Sequence, residues 1–136
     1  MKEIIAIIRP KQWPKTKAQL LEEGFTAFTV RRVSGRGRQK GLQYLAQSGK
    51  VEEGIRFLPK RMVTLFVQDG DAPAAVAAIA KANQTGEIGD GKIFVCPLES
   101  VQRIRTGERG ELLEERTPPG GSRLSEGAIK SGMPGQ

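Results

Sequence analysis

The stretch KEIIAIIR at residues 2–9, followed by Pro10, decides how the rest of the chain can fold. Its nearly continuous, isoleucine-rich apolar run is typical of a strand buried on both faces, and we expect it to be the central strand. The run is too short to span a membrane and lacks the small-residue cleavage site of a signal peptide. We therefore expect a cytoplasmic protein that is not inserted in a membrane, with its single cysteine, Cys96, reduced.

The segments that follow alternate between helical and strand patterns. A helix is predicted over residues 13–23, where Trp13, Leu20 and Leu21 share a face and Gly24 is a stop signal. Strand patterns follow at 25–33 and 61–68. An alanine-rich helix is predicted after Asp71, ending before Thr85, and residues 92–95 form the last strand pattern.

This order of elements predicts an α+β fold of the ferredoxin-like βαββαβ type, an antiparallel sheet with both helices on one face. The other sheet face is then uncovered, so the pattern itself predicts oligomerisation. Residues 34–60 form an unusually long connection between strands 2 and 3. We expect one domain over residues 1–110, with a mobile loop at 34–60, and a disordered tail at 111–136 rich in Gly, Pro, Ser and charges.

A formal charge of +7 indicates an anionic partner, and the absence of histidine removes the commonest general base and metal ligand. Three basic, glycine-rich elements could bind phosphate: residues 86–92, residues 35–41, and the segment from Arg103 to Gly107. If the last segment is extended, Arg103 and Arg105 point to the same side. Taken alone, residues 86–92 are equally well interpreted as a solvated turn, residues 35–41 are better interpreted as a flexible surface loop, and the arginine pair as solubilising charges. Three such elements beside strand ends nevertheless favour a phosphate-bearing ligand.

The loop GEIGDGK at 86–92 has the glycine and lysine spacing of a Walker A motif. Ile93 stands where that motif has its magnesium-binding hydroxyl, and the loop runs from helix to strand instead of strand to helix. Phosphate binding thus remains a hypothesis, whereas the NTPase fold is excluded.

Two other function classes compete with a nucleotide sensor. RNA-binding modules share this fold and a basic charge, but they stack bases on exposed aromatics, and aromatics are only 5% of residues here. The phenylalanines are interpreted as core. An acylphosphatase-like hydrolase would use arginine-rich loops, but no nucleophile and base pair is evident, so we expect binding and not turnover.

The motifs at residues 34–41, 57–60, 85–95 and 103–107 together resemble the PII nitrogen regulatory signal-transduction family over about residues 1–110. The resemblance implies a compact homotrimer of ferredoxin-like subunits, with ATP or ADP in the clefts between neighbours. It also implies that 2-oxoglutarate binds beside Mg-ATP at the base of a long T-loop, whose conformation reports the ligand to a target protein.

The resemblance also assigns roles to individual residues. Those implied to bind ATP or ADP are Ile7, Thr29, Gly35, Gly37, Arg38, Thr64, Gly89, Asp90, Gly91 and Lys92, with Arg103 and Arg105 from the adjoining subunit. Those implied to bind 2-oxoglutarate are Gln39, Lys40, Gly41, Lys60 and Gly89, and Gln39 would also meet Mg²⁺.

The sequence departs from the family pattern at several positions. Arg36 replaces an aromatic, Thr64 replaces an acidic residue, and Tyr44 lies too early to be the modified T-loop tyrosine, which favours regulation by ligand alone. The N-terminus and residues 105–111 look most like the nitrogenase-associated branch. This implies dinitrogenase as the target of loop 36–56 and allows a second PII paralogue in the assembly. An ammonium transporter or glutamine synthetase stays open as an alternative target, and no nucleic acid partner is implied.

Overall fold

A computed structural model of the chain describes residues 1–36, 57–110 and 116–117. Strands β1 (Lys2–Ile8), β2 (Thr29–Gly35), β3 (Leu58–Val67) and β4 (Lys92–Pro97) form one sheet. Helix α1 (Trp13–Glu22) follows β1, and helix α2 (Ala72–Asn83) follows β3. The predicted βαββαβ order is confirmed, as is the connection between β2 and β3, which spans residues 36–57.

The sheet has the order β2-β3-β1-β4 with every pair antiparallel, so β1 is an inner strand as predicted. Its register pairs Ile4 with Leu65 of β3 and Val95 of β4. Within the described part of the chain, no helix is long and apolar enough to cross a membrane.

The core lies between one sheet face and the two helices. Alternate residues Ile4, Ala6 and Ile8 of β1 are essentially inaccessible, and they cluster with Leu20 of α1 and Ile79 of α2. Side chains alternate along a strand, so both helices cover the same sheet face, which is called the helix face here. The opposite side is called the open face.

The expectation that β1 is buried on both faces is wrong for the single chain, because Ile5 and Ile7 on the open face are only half-buried. The interpretation of the phenylalanines as core is also wrong in part. Phe25 is buried, but Phe66 and Phe94 remain 42% and 48% exposed on the open face. Strand alternation explains the difference, since it turns these two rings away from the helices.

Two predictions relied on single apolar residues, and the structure differs from both of them. Strand β2 begins at Thr29 and not at residue 25, because Phe25 enters the core and Phe28 packs edge-to-face on Trp13. On α1, Leu20 is buried but Leu21 is 43% exposed, and Thr16 takes the second buried position. Gly24 ends this helix with φ +89°, as predicted.

Candidate nucleotide site

Four of the predicted nucleotide-binding side chains lie on the open face of the sheet. Thr29 pairs with Thr64, and Thr64 pairs with Ile5, so the three occupy one row across β2, β3 and β1. Ile7 lies two residues beyond Ile5 on the same face and pairs with Lys92 of β4. Paired residues of antiparallel strands project to the same side. Residues separated by up to 85 positions in sequence are thereby gathered on one surface.

Lys60 belongs to the same face, one row beyond Ile7 toward the β2–β3 connection. It pairs with Val33 and is 9% exposed, so most of this lysine is shielded from water. Gly35 lies beside it, and a Cβ added at Gly35 would lie 3.8 Å from the Lys60 Cγ. The described structure therefore brings the predicted 2-oxoglutarate lysine to the base of the long connection.

The loop between α2 and β4 is organised around the Asp90 carboxylate. The backbone amides of Thr85 and Gly86 donate to Asp90 Oδ2 at 2.7 and 2.9 Å, and the Thr85 hydroxyl donates to Oδ1. Arg9, at the end of β1, donates to Asp90 Oδ1 and to the Ile88 carbonyl oxygen, each at 3.0 Å. One carboxylate thus ties the loop to itself and to the central strand.

These hydrogen bonds, first that from the Thr85 hydroxyl and then that from its amide, hold the pKa of the Asp90 carboxyl well below its usual range. A lowered pKa means that the stabilisation is fully present above the ordinary carboxyl pKa of about 4 and is lost as pH falls through the lowered value. The loop therefore keeps its carboxylate ties at neutral and mildly acidic pH. Because loop donors occupy the carboxylate, Asp90 acts by shaping the loop.

Gly89 and Gly91 give the loop a backbone that other residues rarely adopt, with φ of +101° and +107°. A Cβ at Gly91 would lie 2.1 Å from the Ile7 carbonyl oxygen, so the loop backbone rests directly on β1. This close approach holds the loop against β1 immediately before Lys92, the exposed first residue of β4.

Asp90→Asn is expected to loosen the loop while leaving the sheet intact. In asparagine an NH₂ group replaces one of the two oxygens, so it faces either Arg9 and the Thr85 hydroxyl or the Thr85 and Gly86 amides. At least one of these hydrogen bonds is then lost, and the others are to an uncharged group. We expect amide hydrogen exchange at residues 85–89 to accelerate about tenfold or more. Asp69→Asn is the charge-matched control, because Asp69 bonds the N-terminal amine and Lys2 at the opposite end of β1. If amide hydrogen exchange at residues 85–89 is as slow in Asp90→Asn as in the wild type, the role assigned to Asp90 is contradicted.

The segment carrying Arg103 and Arg105 is folded, so the premise of an extended strand is wrong. The Arg103 amide donates to the Glu108 carbonyl oxygen and the Gly107 amide to that of Arg103, both at 2.8 Å, and residues 104–106 form the turn. Strand geometry therefore does not place the two guanidinium groups on one side, as the prediction assumed. This hairpin presents Ile104, which is 98% exposed, at its tip.

Several predicted site residues lie outside the described residues: Gly37, Arg38, Gln39, Lys40 and Gly41. The Mg²⁺ assignment to Gln39 therefore stays a prediction. In the described ranges, no group of three or more Cys, Asp or Glu side chains could hold a metal ion.

Sequence reasoning missed Arg9 and Arg31. Arg9 contacts a loop 81 residues away, and no local pattern signals such a contact. Arg31 pairs with Met62 and so lies on the open face in the row of Ile7. Counting alternate residues from Thr29 would have placed it there, because Thr29 and Arg31 are two positions apart and project to the same side of the strand.

Comparisons with known proteins identify the family of this chain. Residues 1–108 match the family model described as "Nitrogen regulatory protein P-II". The "Nitrogen fixation nifHD region GlnB-like protein 2" of Methanobacterium ivanovii is 51% identical over 118 residues, covering 82% of this chain and 97% of the relative. The protein of that name from Methanothermobacter marburgensis is 48% identical over 117 residues, covering 81% and 97%.

A relative from Azospirillum brasilense, "Nitrogen regulatory protein P-II", is 46% identical over 110 residues, covering 81% of this chain and 96% of the relative. The family match spans both the sheet and the loop that Asp90 organises. The chain belongs to the P-II family of nitrogen regulatory proteins, which are signal transducers and not enzymes.

Proposed function

We propose that this nitrogen regulatory protein senses ATP or ADP together with 2-oxoglutarate and passes the signal to a target protein through loop 36–56. The observation that carries the proposal is the placement of Ile7, Thr29, Thr64 and Lys92 on one sheet face. Lys92 directly follows a glycine loop that Asp90 closes.

Each part of this surface suits a part of an adenine nucleotide. Ile7 offers an apolar contact for the base, and Thr29 and Thr64 offer hydroxyls for the base edge or ribose. The glycine loop can present backbone amides to phosphate oxygens, and Lys92 supplies a positive charge there. Thr64 is neutral, so it adds no repulsion toward an anion.

The open face also supports association into a homotrimer. It carries the half-buried Ile5, Ile7 and Met62 together with the more exposed Phe66 and Phe94. Apolar side chains grouped on one exposed sheet face are typical of a protein–protein interface. In the proposed trimer the hairpin at 102–109 reaches the neighbouring subunit. Ile104 would then be buried, and Arg103 and Arg105 would approach the neighbour's nucleotide phosphates.

For 2-oxoglutarate, Lys60 is the described residue with suitable chemistry, because an ammonium group pairs with a carboxylate. Its shielded position at the base of the connection would strengthen such a pair. Gln39 would hold Mg²⁺ through its amide oxygen, with Lys40, Gly41 and Gly89 nearby; Mg²⁺ would link the oxoacid to the nucleotide phosphates.

The favoured target is dinitrogenase in the cytoplasm. Support comes from two relatives whose names place them in a nitrogen fixation nifHD region. Regulation of an ammonium transporter or of glutamine synthetase is the second candidate, since the Azospirillum relative is named only as a nitrogen regulatory protein.

Calorimetric titration tests the ligands. We expect ATP with Mg²⁺ to bind alone and 2-oxoglutarate to bind only when Mg-ATP is present. Lys60→Ala and Gln39→Ala should weaken 2-oxoglutarate binding by about tenfold or more while ATP still binds. Lys81→Ala, at an exposed lysine on the last turn of α2, is the control and should behave as wild type.

Two results would overturn the proposal. One is 2-oxoglutarate binding that is unchanged in both variants. The other is binding of an oligonucleotide by a chain that binds neither ATP nor 2-oxoglutarate, which would favour a basic RNA-binding module.

A further inference from the structure

Arg116 and Thr117 lie beyond residues 1–108, which match the family model, yet they are packed against the domain. The Arg116 side chain is only 15% exposed. A segment with few apolar residues needs specific contacts to be held in this way, because ordering the backbone costs conformational entropy. The contacts around Arg116 therefore identify what holds the segment.

The guanidinium group of Arg116 is bound on three sides. Its Nε donates to the Glu23 carbonyl oxygen at 2.7 Å, and its terminal nitrogens contact the carboxylates of Glu23 at 3.1 Å and Asp71 at 3.4 Å. Its carbon lies 4.7 Å from the centre of the Phe25 ring, as in a cation–π contact. A lysine could not make this set, because it lacks the planar array of donors.

The binding groups come from the ends of two helices. Glu23 is the C-cap residue, immediately after α1, where unpaired carbonyl oxygens and the helix dipole favour a cation. Asp71 immediately precedes α2. Next to the arginine, the Thr117 amide donates to the Gly24 carbonyl oxygen at 3.4 Å. Side-chain and backbone contacts therefore dock the same two residues.

We propose that Glu23, Phe25 and Asp71 form a guanidinium-binding site, and that its resident ligand is Arg116 of the chain's own C-terminal extension. The site lies near Val67, which pairs with Lys2, whereas the glycine loop rests on Ile7. Lys2 and Ile7 are about 17 Å apart along β1 at the usual rise per residue. The extension is thus anchored at the end of the sheet opposite the candidate nucleotide site.

Hydrogen exchange read by mass spectrometry on the full-length protein tests the anchor. Pro118 and Pro119 carry no amide hydrogen, so a fragment covering residues 114–119 reports chiefly on Arg116 and Thr117. We expect Arg116→Ala and Glu23→Gln to accelerate exchange in this fragment about tenfold, with Arg116→Lys intermediate. Glu22→Gln makes the same charge change at the exposed neighbouring residue and should leave exchange unchanged.

Equal exchange in wild type, Arg116→Ala and Glu23→Gln would overturn the proposal. So would full protection in Arg116→Lys, because any cation would then suffice. ATP binding should be unaffected in all of these variants, so failure of the anchor and failure of the proposed nucleotide site are separate results.

Discussion

Gly91→Ala is expected to lower the midpoint of thermal unfolding of this domain by roughly 10 °C. The new Cβ would lie 2.1 Å from the Ile7 carbonyl oxygen, a backbone atom in an inner strand that cannot move aside alone. The φ of +107° adds strain for any residue with a Cβ. Together we estimate a cost of roughly 3 kcal/mol or more in the free energy of unfolding.

Gly86→Ala is the matched control for this substitution. Gly86 also has a positive φ, of +86°, but among the described residues no atom lies within 4 Å of an added Cβ. Only the conformational strain applies, so we expect the free energy of unfolding to fall by about 1 kcal/mol. Thermal and urea unfolding of both variants would measure the difference. Equal destabilisation would mean that the contact with β1 is not what makes Gly91 necessary.

Lys92→Gln is expected to weaken ATP binding by about 10- to 100-fold, while leaving the unfolding midpoint nearly unchanged. Lys92 is exposed at the start of β4 and follows the glycine loop, so its charge is placed to meet phosphates and not to support the core. Glutamine is one atom shorter than lysine and keeps a polar end group, but it removes the charge. The loss of affinity should shrink at high salt, which screens exposed charges.

Lys81→Gln makes the same charge change on the exposed last turn of α2 and should bind ATP as wild type does. Calorimetric titration at two ionic strengths compares the two variants. If both substitutions weaken ATP binding equally, the overall basic charge of the domain attracts the nucleotide. Lys92 would then have no specific role.

The position of β1 and the order of elements were predictable, because hydrophobic periodicity depends on local sequence. Ile4, Ala6 and Ile8 pack under the helices as an apolar strand in an inner position should. The extent of β2 was not predictable to the residue, because Phe25 and Phe28 are as typical of strands as of core loops. Their tertiary partners, among them Trp13 for Phe28, decide between the two.

The candidate site also combines features that the sequence predicted with features that only tertiary contacts decide. The glycine loop and Lys92 were identified from spacing alone, since positive φ and phosphate binding both demand particular residue types. The role of Asp90 was not identified. An acidic side chain in a basic motif does not indicate that it accepts hydrogen bonds from two backbone amides and from Arg9. Likewise, Arg103 and Arg105 were expected on an extended segment, and backbone hydrogen bonds fold it into a hairpin.

By itself, the sequence determined the fold class, the inner strand, the long connection after β2 and the P-II resemblance, since each is carried by residue type and local spacing. Only the tertiary structure decided which distant residues meet. Sheet register places Ile7, Thr29, Thr64 and Lys92 on one open face. Packing of the two helix ends places Arg116 between Glu23 and Asp71. Contacts between residues far apart in the chain depend on how strands align and helices pack, which no local pattern encodes.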